Sequence, residues 1–439
     1  MDPEFWNREI ETMPIEEIKA LQWKLMKNMV THAYNNAPFY KNMYNNVGIT
    51  PNDIKTWSDF KKLPTFAKPD MRTDIENNPP YSSLLAVDKR EISFISNSSG
   101  TTGQPMISPY CKEEVDNIVD VSARFFYAQG LRKEDVYMHC LNMSLFVASP
   151  SIMSVHEIGA AAIWAGILPY ERLVQMAQAV EATTLLTTPS FAWRFGEKLI
   201  NDGYDLKKDF KIKRFIVAGE PGGSIPETQR ALREVWGEDL QIGEVYGMSE
   251  VYGCLAGACK AHDGLHIAED HIFVEIIDPE TGKELPDGET GEIVVTALTK
   301  TCRPMIRYRT GDMGWIDRSQ CVCGRTHARI HVAGRRDNMF IVSGVNVFPS
   351  DIEGVVRQMP ELNGEFVVHI QNDRLSACYT VDVERKSGCL LSCEEIALKL
   401  KKMLKKVLIA APKTVNVYEE NTLPRNDMKA VRIIDDRKK

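Results

Sequence analysis

The segment "SNSSGTTGQP", residues 96–105, brings serine and threonine hydroxyls together with two glycines. Glycine lets backbone N–H groups approach a phosphate closely, and hydroxyls supply further hydrogen-bond donors. No Gly-Lys-Ser/Thr follows at the spacing of a P-loop. Composition by itself leaves two interpretations open, a phosphate-binding loop and an ordinary turn.

Two further segments carry groups that suit a nucleotide. In "EVYGMSE", residues 244–250, an aromatic ring before a glycine can stack on a base, and Glu250 can bind a metal ion beside phosphates. In "RYRTGDMGWI", residues 307–316, Asp312 follows a Thr-Gly turn and can accept hydrogen bonds from ribose hydroxyls. A buried tyrosine with a surface glutamate, and a plain turn aspartate, are the alternatives.

Two segments nearer the C-terminus add positive charge. "GRRDNMFIVSGVNVFPSDIE", residues 334–353, opens with two arginines that can reach a polyphosphate. "TLPRNDMKAVRI" places Lys429 among turn-forming residues. A single lysine near a chain end is usually a solvated charge, so this segment indicates a site only in combination with the others.

The elements around these segments change character along the chain. Up to about residue 265, apolar runs such as "TTLLTTP" and "RFIVAGEP" alternate with helical patterns such as "IPETQRALREVWG". This alternation predicts βαβ units and a largely parallel sheet. Beyond it, "HIFVEIIDP" and "ELPDGETGEIVVTAL" read as strands joined by Asp-Gly and Thr-Gly turns, which is typical of antiparallel structure.

The last hundred or so residues predict a compact α+β unit, with a helix from Pro349 and a long helix from Glu394 to Val407. We therefore predict an α/β fold with a large, multi-subdomain N-terminal domain, residues 1–336. Mostly parallel sheets and a β-rich segment would build it. A small, mobile α+β domain, residues 337–439, would follow.

Composition narrows the class of protein. The 439 residues carry a formal net charge of −7, which argues against a nucleic-acid or anionic-membrane partner. The opening residues "MDPEFWNREIETM" lack the apolar core of an export signal, so a cytoplasmic location is expected. In that compartment the ten cysteines are better explained as thiols or metal ligands than as disulfides.

The order of the segments is more specific than any one of them. The Ser/Thr/Gly loop, "AGEP", "YGMSE", "YRTGD", "GRRDN" and "LPRNDMK" follow one another across the chain. In this set the sequence resembles the adenylate-forming acyl-CoA synthetase superfamily, and within it the phenylacetate–CoA ligase family. The narrower match is carried by "WNREIETM", "GLHIAEDHIFVEIIDPETG", "RPMIRYRTGD" and "GVNVFPSDIE". The similarity runs from about residue 6 to 436.

The resemblance implies a two-step reaction: a carboxylate attacks the α-phosphorus of ATP to give acyl-AMP and pyrophosphate, and the CoA thiolate then displaces AMP. It also implies the residues that bind ATP and AMP. By similarity, the phosphate loop consists of Ser98, Ser99, Gly100, Thr101, Thr102 and Gly103, and the adenine site consists of Gly219, Glu220 and Pro221. The segment near the base and the AMP phosphate consists of Tyr246, Gly247, Met248, Ser249 and Glu250. The ribose site is Asp312, supported by Arg335. Thr101 and Glu250 would place Mg²⁺, which neutralises developing phosphate charge.

Lys429 corresponds to the family's adenylation lysine. A flexible positive charge there would bridge the carboxylate and the α-phosphate in the transition state, and it would not be needed for thioester formation. Family members rotate the C-terminal domain between the two steps. Asp337 stands where the hinge residue is expected, next to the boundary predicted from the pattern.

The sequence departs from the family pattern in the phosphate loop, after the hinge and in the acid pocket. Gln104 replaces a lysine at the end of the phosphate loop, so weaker ATP binding is expected; Asn338 replaces an acidic residue after the hinge. Gly222 replaces an aromatic residue, and "NMSLFVASPSIMSVHEIGA" lacks the glycine-rich sequence expected around the acid pocket. His156 in that segment is a candidate lining residue, and a buried core histidine is the alternative. The expected substrate is therefore an aryl, arylacetic or other small carboxylic acid rather than phenylacetate in particular.

A structural zinc site is the second expectation. "CVCG" supplies Cys321 and Cys323, and "CKAHDGLH" supplies Cys259 and His266; many relatives share this set. Four Cys/His ligands suit a closed tetrahedral zinc site. Unligated thiols are the alternative, and Cys254 and His262 are the substitute ligands.

Three functions remain in competition at this point. The favoured one is an AMP-forming acid–CoA ligase that uses ATP, Mg²⁺ and CoA. The alternatives are an adenylating enzyme that loads a carrier-protein phosphopantetheine, and a non-catalytic acid or nucleotide sensor. The presence of Lys429, Asp312 and Glu250 disfavours the sensor. Family members often form homodimers, and the sequence does not decide the assembly.

Overall fold

The structure is a computed structural model that describes residues 3–97, 106–141, 150–166, 168–220, 222–336, 340–342, 345–347, 349–373, 376–408, 411–425 and 432–436. These residues form two compact units. The first unit comprises Met1–Thr187, Lys207–Ala218 and Gln241–His331. The second comprises Thr188–Leu206, Gly219–Leu240 and Val332–Lys439.

The helices are numbered in chain order. They are α1 (Arg8–Glu11), α2 (Ile15–Asn36), α3 (Pro38–Asn45), α4 (Trp57–Phe60), α5 (Lys68–Asn77), α6 (Lys112–Ala128), α7 (Ser151–Ile158), α8 (Tyr170–Ala179), α9 (Pro189–Asn201), α10 (Leu206–Asp209), α11 (Pro226–Trp236), α12 (Pro349–Arg357) and α13 (Cys393–Leu408). Within the described ranges, no helix is both long and apolar enough to cross a membrane.

The strands are numbered in the same way. They are β1 (Phe66–Ala67), β2 (Ile92–Asn97), β3 (Ile107–Cys111), β4 (Val136–His139), β5 (Ala161–Trp164), β6 (Thr184–Thr187), β7 (Arg214–Val217), β8 (Gln241–Tyr246), β9 (Ala256–Ala258), β10 (Leu265–Ile267), β11 (Ile272–Ile277), β12 (Gly291–Ala297), β13 (Tyr308–Asp317), β14 (Arg329–Arg335), β15 (Phe340–Val342), β16 (Val345–Val347), β17 (Leu362–Asp373), β18 (Ser376–Arg385), β19 (Thr414–Tyr418) and β20 (Ile433–Asp435).

A large sheet with the order β11-β12-β13-β14-β10-β9-β8-β7-β6-β4-β5 organises the first unit, and β1 pairs with β13. One half, from β5 to β8, is parallel. The other half is antiparallel from β8 through β9 and β10 to β14. Strand β8 belongs to both halves, and ligands of parallel sheets bind beyond the carboxyl ends of the strands. A ligand-binding site is therefore expected at the end of β8, next to Tyr246.

Apolar residues from both halves of the sequence build the core of the first unit. Phe125 and Phe126 of α6 pack with Tyr137, Ile216 and Val245 of the parallel strands. Burying large apolar side chains contributes about 1.5–3 kcal/mol each. This core holds the carboxyl ends of β4, β6, β7 and β8 in fixed relative positions.

The C-terminal part of the second unit is a four-stranded sheet with the order β19-β18-β17-β20. Helices α12 and α13 bury Ile352, Val356, Ile396, Leu400 and Leu404 with the apolar residues of that sheet. The helical spacing of Ile396, Leu400 and Leu404 is what the amphipathic pattern predicted. Helices α9 and α11 belong to the same unit, where Trp236 Nε1 donates a hydrogen bond to the carbonyl oxygen of Ala192 at 2.9 Å.

The predicted α/β fold class is confirmed. A large sheet with a parallel half and a β-rich antiparallel half, and a small C-terminal α+β region, are present; the sheet is mixed rather than mostly parallel. The predicted helix from Pro349 begins at that residue, and the predicted helix from Glu394 to Val407 spans Cys393–Leu408. The division into domains 1–336 and 337–439 stays a prediction.

Candidate nucleotide and zinc sites

The Ser/Thr/Gly loop connects two strands of a hairpin. Strands β2 and β3 pair antiparallel, and Asn97 lies opposite Ile107 at the end of the hairpin next to the loop. The loop residues Ser98, Ser99, Gly100, Thr101, Thr102 and Gly103 lie outside the described residues, as does Gln104. What the structure shows is that both ends of the loop are held in one hairpin.

Two fully buried cations hold the strand that leaves this loop. Arg303 donates hydrogen bonds to the carbonyl oxygen of Ile107 at 2.5 Å and to Ser108 Oγ at 2.6 Å. Lys300 Nζ donates to the carbonyl oxygen of Pro109 at 3.2 Å, and burial lowers the pKa of Lys300 to about 8. Sequence reasoning missed both residues. Arg303 begins the segment "RPMIRYRTGD" that supported the family resemblance, and Lys300 lies three residues before it, but neither residue type carries a signal of burial.

The turn after β8 is built for a close backbone approach. A Cβ atom on Gly247 would lie 2.0 Å from the carbonyl oxygen of Gly253, so any larger residue would displace the loop. The backbone N–H of Leu255 donates to the carbonyl oxygen of Tyr246 at 2.8 Å, and the Tyr110 hydroxyl donates to that of Ser249 at 2.9 Å. The segment with Tyr246, Gly247, Met248, Ser249 and Glu250 is thus fixed at the carboxyl end of β8.

Asp312 lies on β13, and its side chain contacts Tyr246 at the carboxyl end of β8. Gly311 has φ = +75°, in the left-handed region, and the pairing of β12 with β13 shifts register across this point. The Asp312 N–H donates to Thr310 Oγ1 at 3.0 Å. The Tyr246 hydroxyl donates to Asp312 Oδ2 at 2.6 Å. The structure therefore brings two residues of the predicted nucleotide site into direct contact.

Glu250 is buried and paired with a cation that sequence reasoning missed. Lys68 Nζ, at the first residue of α5, lies 2.9 Å from Glu250 Oε1. The alternative of a surface glutamate is wrong, because only 6% of Glu250 is exposed. A buried carboxylate needs a compensating charge. Lys68 supplies that charge here. The sequence held no signal for Lys68, which lies far from Glu250 along the chain.

The other predicted residues of the nucleotide site lie in the second unit or outside the described residues. Gly219 has φ = +81°, and Glu220 Oε2 accepts a hydrogen bond from Ser190 Oγ at 2.7 Å. Arg335 is the last residue of β14. Pro221, Asp337, Asn338 and Lys429 lie outside the described residues.

The predicted zinc ligands Cys259, His266, Cys321 and Cys323 form one cluster in the first unit, with their ligand atoms all within 4.8 Å of one another. The sulfur atoms of Cys259 and Cys321 are 3.8 Å apart, and Cys323 Sγ lies 3.3 Å from His266 Nε2. A disulfide has its sulfur atoms about 2 Å apart. Tetrahedral zinc with Zn–S distances of about 2.3 Å separates its sulfur ligands by about 3.8 Å. The geometry fits a metal site.

The surroundings of the cluster prepare its atoms to bind a cation. His266 Nδ1 lies 2.9 Å from the carbonyl oxygen of His327, a contact that a proton on Nδ1 satisfies, and Nε2 faces the cysteine sulfur atoms. Hydrogen bonds from Cys259 and His266 lower the pKa of the Cys323 thiol, and a hydrogen bond from His266 lowers that of Cys321. The hydrogen bond to Cys323 and burial raise the pKa of the Cys259 thiol. The thiolate is the form that binds metal.

The substitute ligands lie elsewhere. Cys254 belongs to the apolar core with Phe125 and Val245. His262 is not in the group that surrounds Cys259. His156, the candidate for the acid pocket, is exposed near the end of α7, so the alternative of a buried core histidine is wrong.

Comparison with known proteins identifies the family of the chain. The profile of the family "AMP-binding enzyme" matches residues 33–298, and that of the "AMP-binding enzyme C-terminal domain" matches residues 344–437. A phenylacetate-coenzyme A ligase from Pseudomonas putida is 31% identical over 440 residues, which cover 98% of this chain and 96% of that protein. A phenylacetate-coenzyme A ligase from Thermus thermophilus is 32% identical over 84% of this chain and 81% of its own.

A solved structure extends the similarity to the whole fold. The crystal structure of 2-hydroxyisobutyryl-CoA ligase, in the postadenylation state in complex with R3-HIB-AMP, superposes with a TM-score of 0.91. Its sequence is 26% identical, and the match covers 99% of this chain and 93% of that one. The chain therefore belongs to the AMP-binding enzyme family and is an adenylate-forming acid–thiol ligase.

Proposed function

We propose that the protein is an AMP-forming acid–CoA ligase. It activates an aryl, arylacetic or other small carboxylic acid with ATP and transfers the acyl group to CoA. The observation that carries this function is the contact of Tyr246 with Asp312 at the carboxyl end of β8, beside buried Glu250. Relatives that match nearly the whole chain are CoA ligases, which supports CoA as the acceptor.

The chemistry asks the protein mainly to position groups and stabilise charge. Asp312 accepts hydrogen bonds from the ribose hydroxyls, and the Tyr246 ring lies against the base while its hydroxyl holds Asp312. The loop Ser98–Gly103 surrounds the β- and γ-phosphates, with the buried charges of Lys300 and Arg303 behind the adjoining strand. Glu250 and Thr101 would hold Mg²⁺, which neutralises the charge that develops on the phosphates.

Lys429 provides the charge that acts in adenylation. It bridges the acid carboxylate and the α-phosphate, while thioester formation proceeds without it. We place the functional boundary at Asp337, with a catalytic domain 1–336 and a C-terminal domain 337–439. The two family profiles support this division, because the first ends at residue 298 and the second begins at 344.

The cluster of Cys259, His266, Cys321 and Cys323 is assigned to structural zinc. All four ligand atoms come from the protein, which suits a closed structural site rather than a catalytic one. The ligand separations described above support the assignment.

A carrier-protein acceptor has no support among the relatives and the structure named above, so it is not proposed here. The homodimer and the cytoplasmic location stay predictions from the sequence.

Replacement of Lys429 tests the proposed function. In Lys429→Ala, acid-dependent ATP–pyrophosphate exchange should fall by roughly a hundredfold or more, because the transition state loses a charge that lies on the reacting groups. Conversion of supplied acyl-AMP and CoA to acyl-CoA should persist. Both rates are measured on purified protein with a panel of aryl, arylacetic and short-chain acids.

Lys405→Ala is the matched control, since Lys405 is exposed on α13 of the same unit. It should leave both half-reactions unchanged. Loss of both half-reactions in Lys429→Ala, or of neither, would show that the lysine is assigned wrongly. Absence of exchange in the unaltered protein across the whole acid panel would contradict the ligase function itself.

A further inference from the structure

Two arginines flank Lys429 along the chain. Arg425 lies four residues before it and Arg432 three residues after it. Residues 426–431 lie outside the described residues, whereas Arg425 and Arg432 are both described. Each of these arginines is bound to a buried carboxylate of the four-stranded sheet in the second unit.

Arg425 makes a two-point contact with Glu384 of β18. Its Nη1 and Nη2 atoms donate to Glu384 Oε1 at 3.0 Å and to Oε2 at 2.6 Å. The same carboxylate, which has no exposed surface, also accepts the backbone N–H groups of Asn421 at 3.0 Å and Leu423 at 2.6 Å. One carboxylate thus fixes three positions of the segment that leads to Lys429.

Arg432 is held in a comparable way by β17. Its Nη1 atom donates to Glu365 Oε2 at 2.8 Å and to the carbonyl oxygen of Phe366 at 3.1 Å. Its guanidinium lies over the Phe366 ring, 4.6 Å from the centroid. The next residue begins β20, where Ile433 pairs with Val368 of β17 in parallel register.

Asn363 joins the two contacts. Its Nδ2 atom donates to Glu384 Oε2 at 2.6 Å, and its Oδ1 atom accepts the backbone N–H of Glu365 at 3.0 Å. Burial raises the pKa of each carboxyl, but the hydrogen bonds and the nearby arginines outweigh it and lower the pKa of both Glu365 and Glu384. Asn363, Glu365, Glu384, Arg425 and Arg432 therefore form one connected set of charged and polar groups, the anchoring network.

Buried ion pairs are weak evidence for stability, because desolvation offsets much of their attraction. They do fix geometry, since an arginine–carboxylate contact through two hydrogen bonds allows only one relative orientation. A catalytic charge must be held within about 0.5 Å of its productive position, and a misplacement of about 1 Å can lower a rate roughly a hundredfold.

We propose that the anchoring network positions Lys429 for adenylation by fixing both ends of the segment that carries it. Glu384 and Glu365 are then positioning residues for the first half-reaction. They are not needed for the second half-reaction, in which Lys429 has no part. This inference rests on the proposed role of Lys429.

The test separates the two half-reactions in Glu384→Gln and Glu365→Gln. Each substitution keeps the side-chain size and removes the charge that holds its arginine. We expect ATP–pyrophosphate exchange to fall about ten- to a hundredfold in kcat, with KM for ATP and for the acid within about twofold. The rate of acyl-CoA formation from supplied acyl-AMP should stay within about twofold of the unaltered protein. Arg425→Lys keeps the positive charge but loses the second hydrogen bond to Glu384. It should show the same fall in ATP–pyrophosphate exchange with unchanged acyl-CoA formation. This variant keeps the proposal testable if the glutamine variants misfold.

Glu353→Gln is the control, because Glu353 pairs with buried Arg357 in the same unit at 2.7 Å but does not contact the anchoring network. It should leave both half-reactions unchanged. Equal loss of both half-reactions in the folded Glu384 and Arg425 variants, or loss of neither, overturns the proposal. If Lys429→Ala is selective while these variants are not, only the anchoring proposal fails. If Lys429→Ala is not selective, the role of Lys429 fails first.

Discussion

At the scale of single residues, Tyr246 and Asp312 show how an ambiguous pattern becomes a site. Each has an ordinary interpretation in the sequence, one as a buried tyrosine and the other as a turn aspartate. They are 66 positions apart, yet the Tyr246 hydroxyl donates to Asp312 Oδ2 at 2.6 Å. A charge-assisted hydrogen bond of this kind orients the carboxylate before a ligand arrives.

This contact predicts the behaviour of Tyr246→Phe. The variant keeps the aromatic ring that we propose lies against the base, and it loses the hydrogen bond to Asp312. Hydrogen bonds to charged groups contribute about 1.5–3 kcal/mol, so KM for ATP should rise about tenfold or more, with a smaller change in kcat. The measurement is ATP–pyrophosphate exchange over a range of ATP concentrations.

Tyr34→Phe is the control for the same chemical change. The Tyr34 hydroxyl donates to Asn45 Oδ1 at 2.8 Å at the exposed surface, and neither residue belongs to the predicted nucleotide site. An unchanged KM for ATP in Tyr246→Phe would mean that Asp312 does not need this hydrogen bond to bind the ribose.

At the scale of elements, the parallel half of the sheet buries a titratable group at the end of β4. His139 has no exposed surface, its Nδ1 atom lies 3.2 Å from the Tyr137 hydroxyl, and burial lowers the pKa of His139 to about 4. The unfolded chain binds the proton with its ordinary pKa of about 6.5. The folded state therefore binds fewer protons than the unfolded state between these two pH values.

The sign of the effect follows from linkage. The buried, neutral His139 imposes no protonation cost on folding above pH 6.5. As the pH falls from 6.5 towards 4, the free energy of unfolding decreases by up to about 3 kcal/mol, because the unfolded chain binds a proton that the folded chain does not. In His139→Asn the free energy of urea unfolding should depend less on pH over this window than in the unaltered protein. Exposed His156→Asn should keep the original dependence. Equal pH dependence in His139→Asn and the unaltered protein would show that His139 titrates normally in the fold.

The elements were predictable to different degrees. The amphipathic helices and the switch from parallel to antiparallel strands follow from apolar periodicity, which the sequence carries directly. The register shift in β13 does not: the Thr-Gly pair predicted as a turn lies within the strand, where Gly311 has a positive φ. Its position depends on pairing with β12, and cross-strand contacts between distant residues leave no local pattern.

At the scale of the whole molecule, the cluster of Cys259, His266, Cys321 and Cys323 joins two distant parts of the first unit. Cys259 and His266 lie around the turn between β9 and β10, whereas Cys321 and Cys323 lie between β13 and β14. A metal bound there would fix both turns to each other. Because metal affinity adds to the stability of the fold that forms the site, its removal should destabilise this unit.

The prediction is one equivalent of zinc in chelator-washed protein and less in Cys321→Ser. The thermal midpoint of the first unit should fall by several degrees in that variant, because zinc binding contributes several kcal/mol to the folded state. Cys389→Ser, a cysteine change in the second unit, should alter neither quantity. Less than about half an equivalent of zinc per chain, together with an unchanged midpoint in Cys321→Ser, would rule out the structural zinc site.

The sequence by itself determined the fold class, the family and the four Cys/His residues that the fold brings together, because periodicity, motif order and Cys/His identity are properties of the chain. The tertiary structure decided which lysine and arginine side chains pair with or support the predicted nucleotide-site segments. Lys68, Lys300 and Arg303 are common surface residue types, and nothing local shows that the fold buries or pairs them. The same holds for the anchoring network, since Glu365 and Glu384 occupy strand positions where a glutamate is normally solvated. Burial makes such groups costly unless they are paired, and only the folded chain brings their partners within reach.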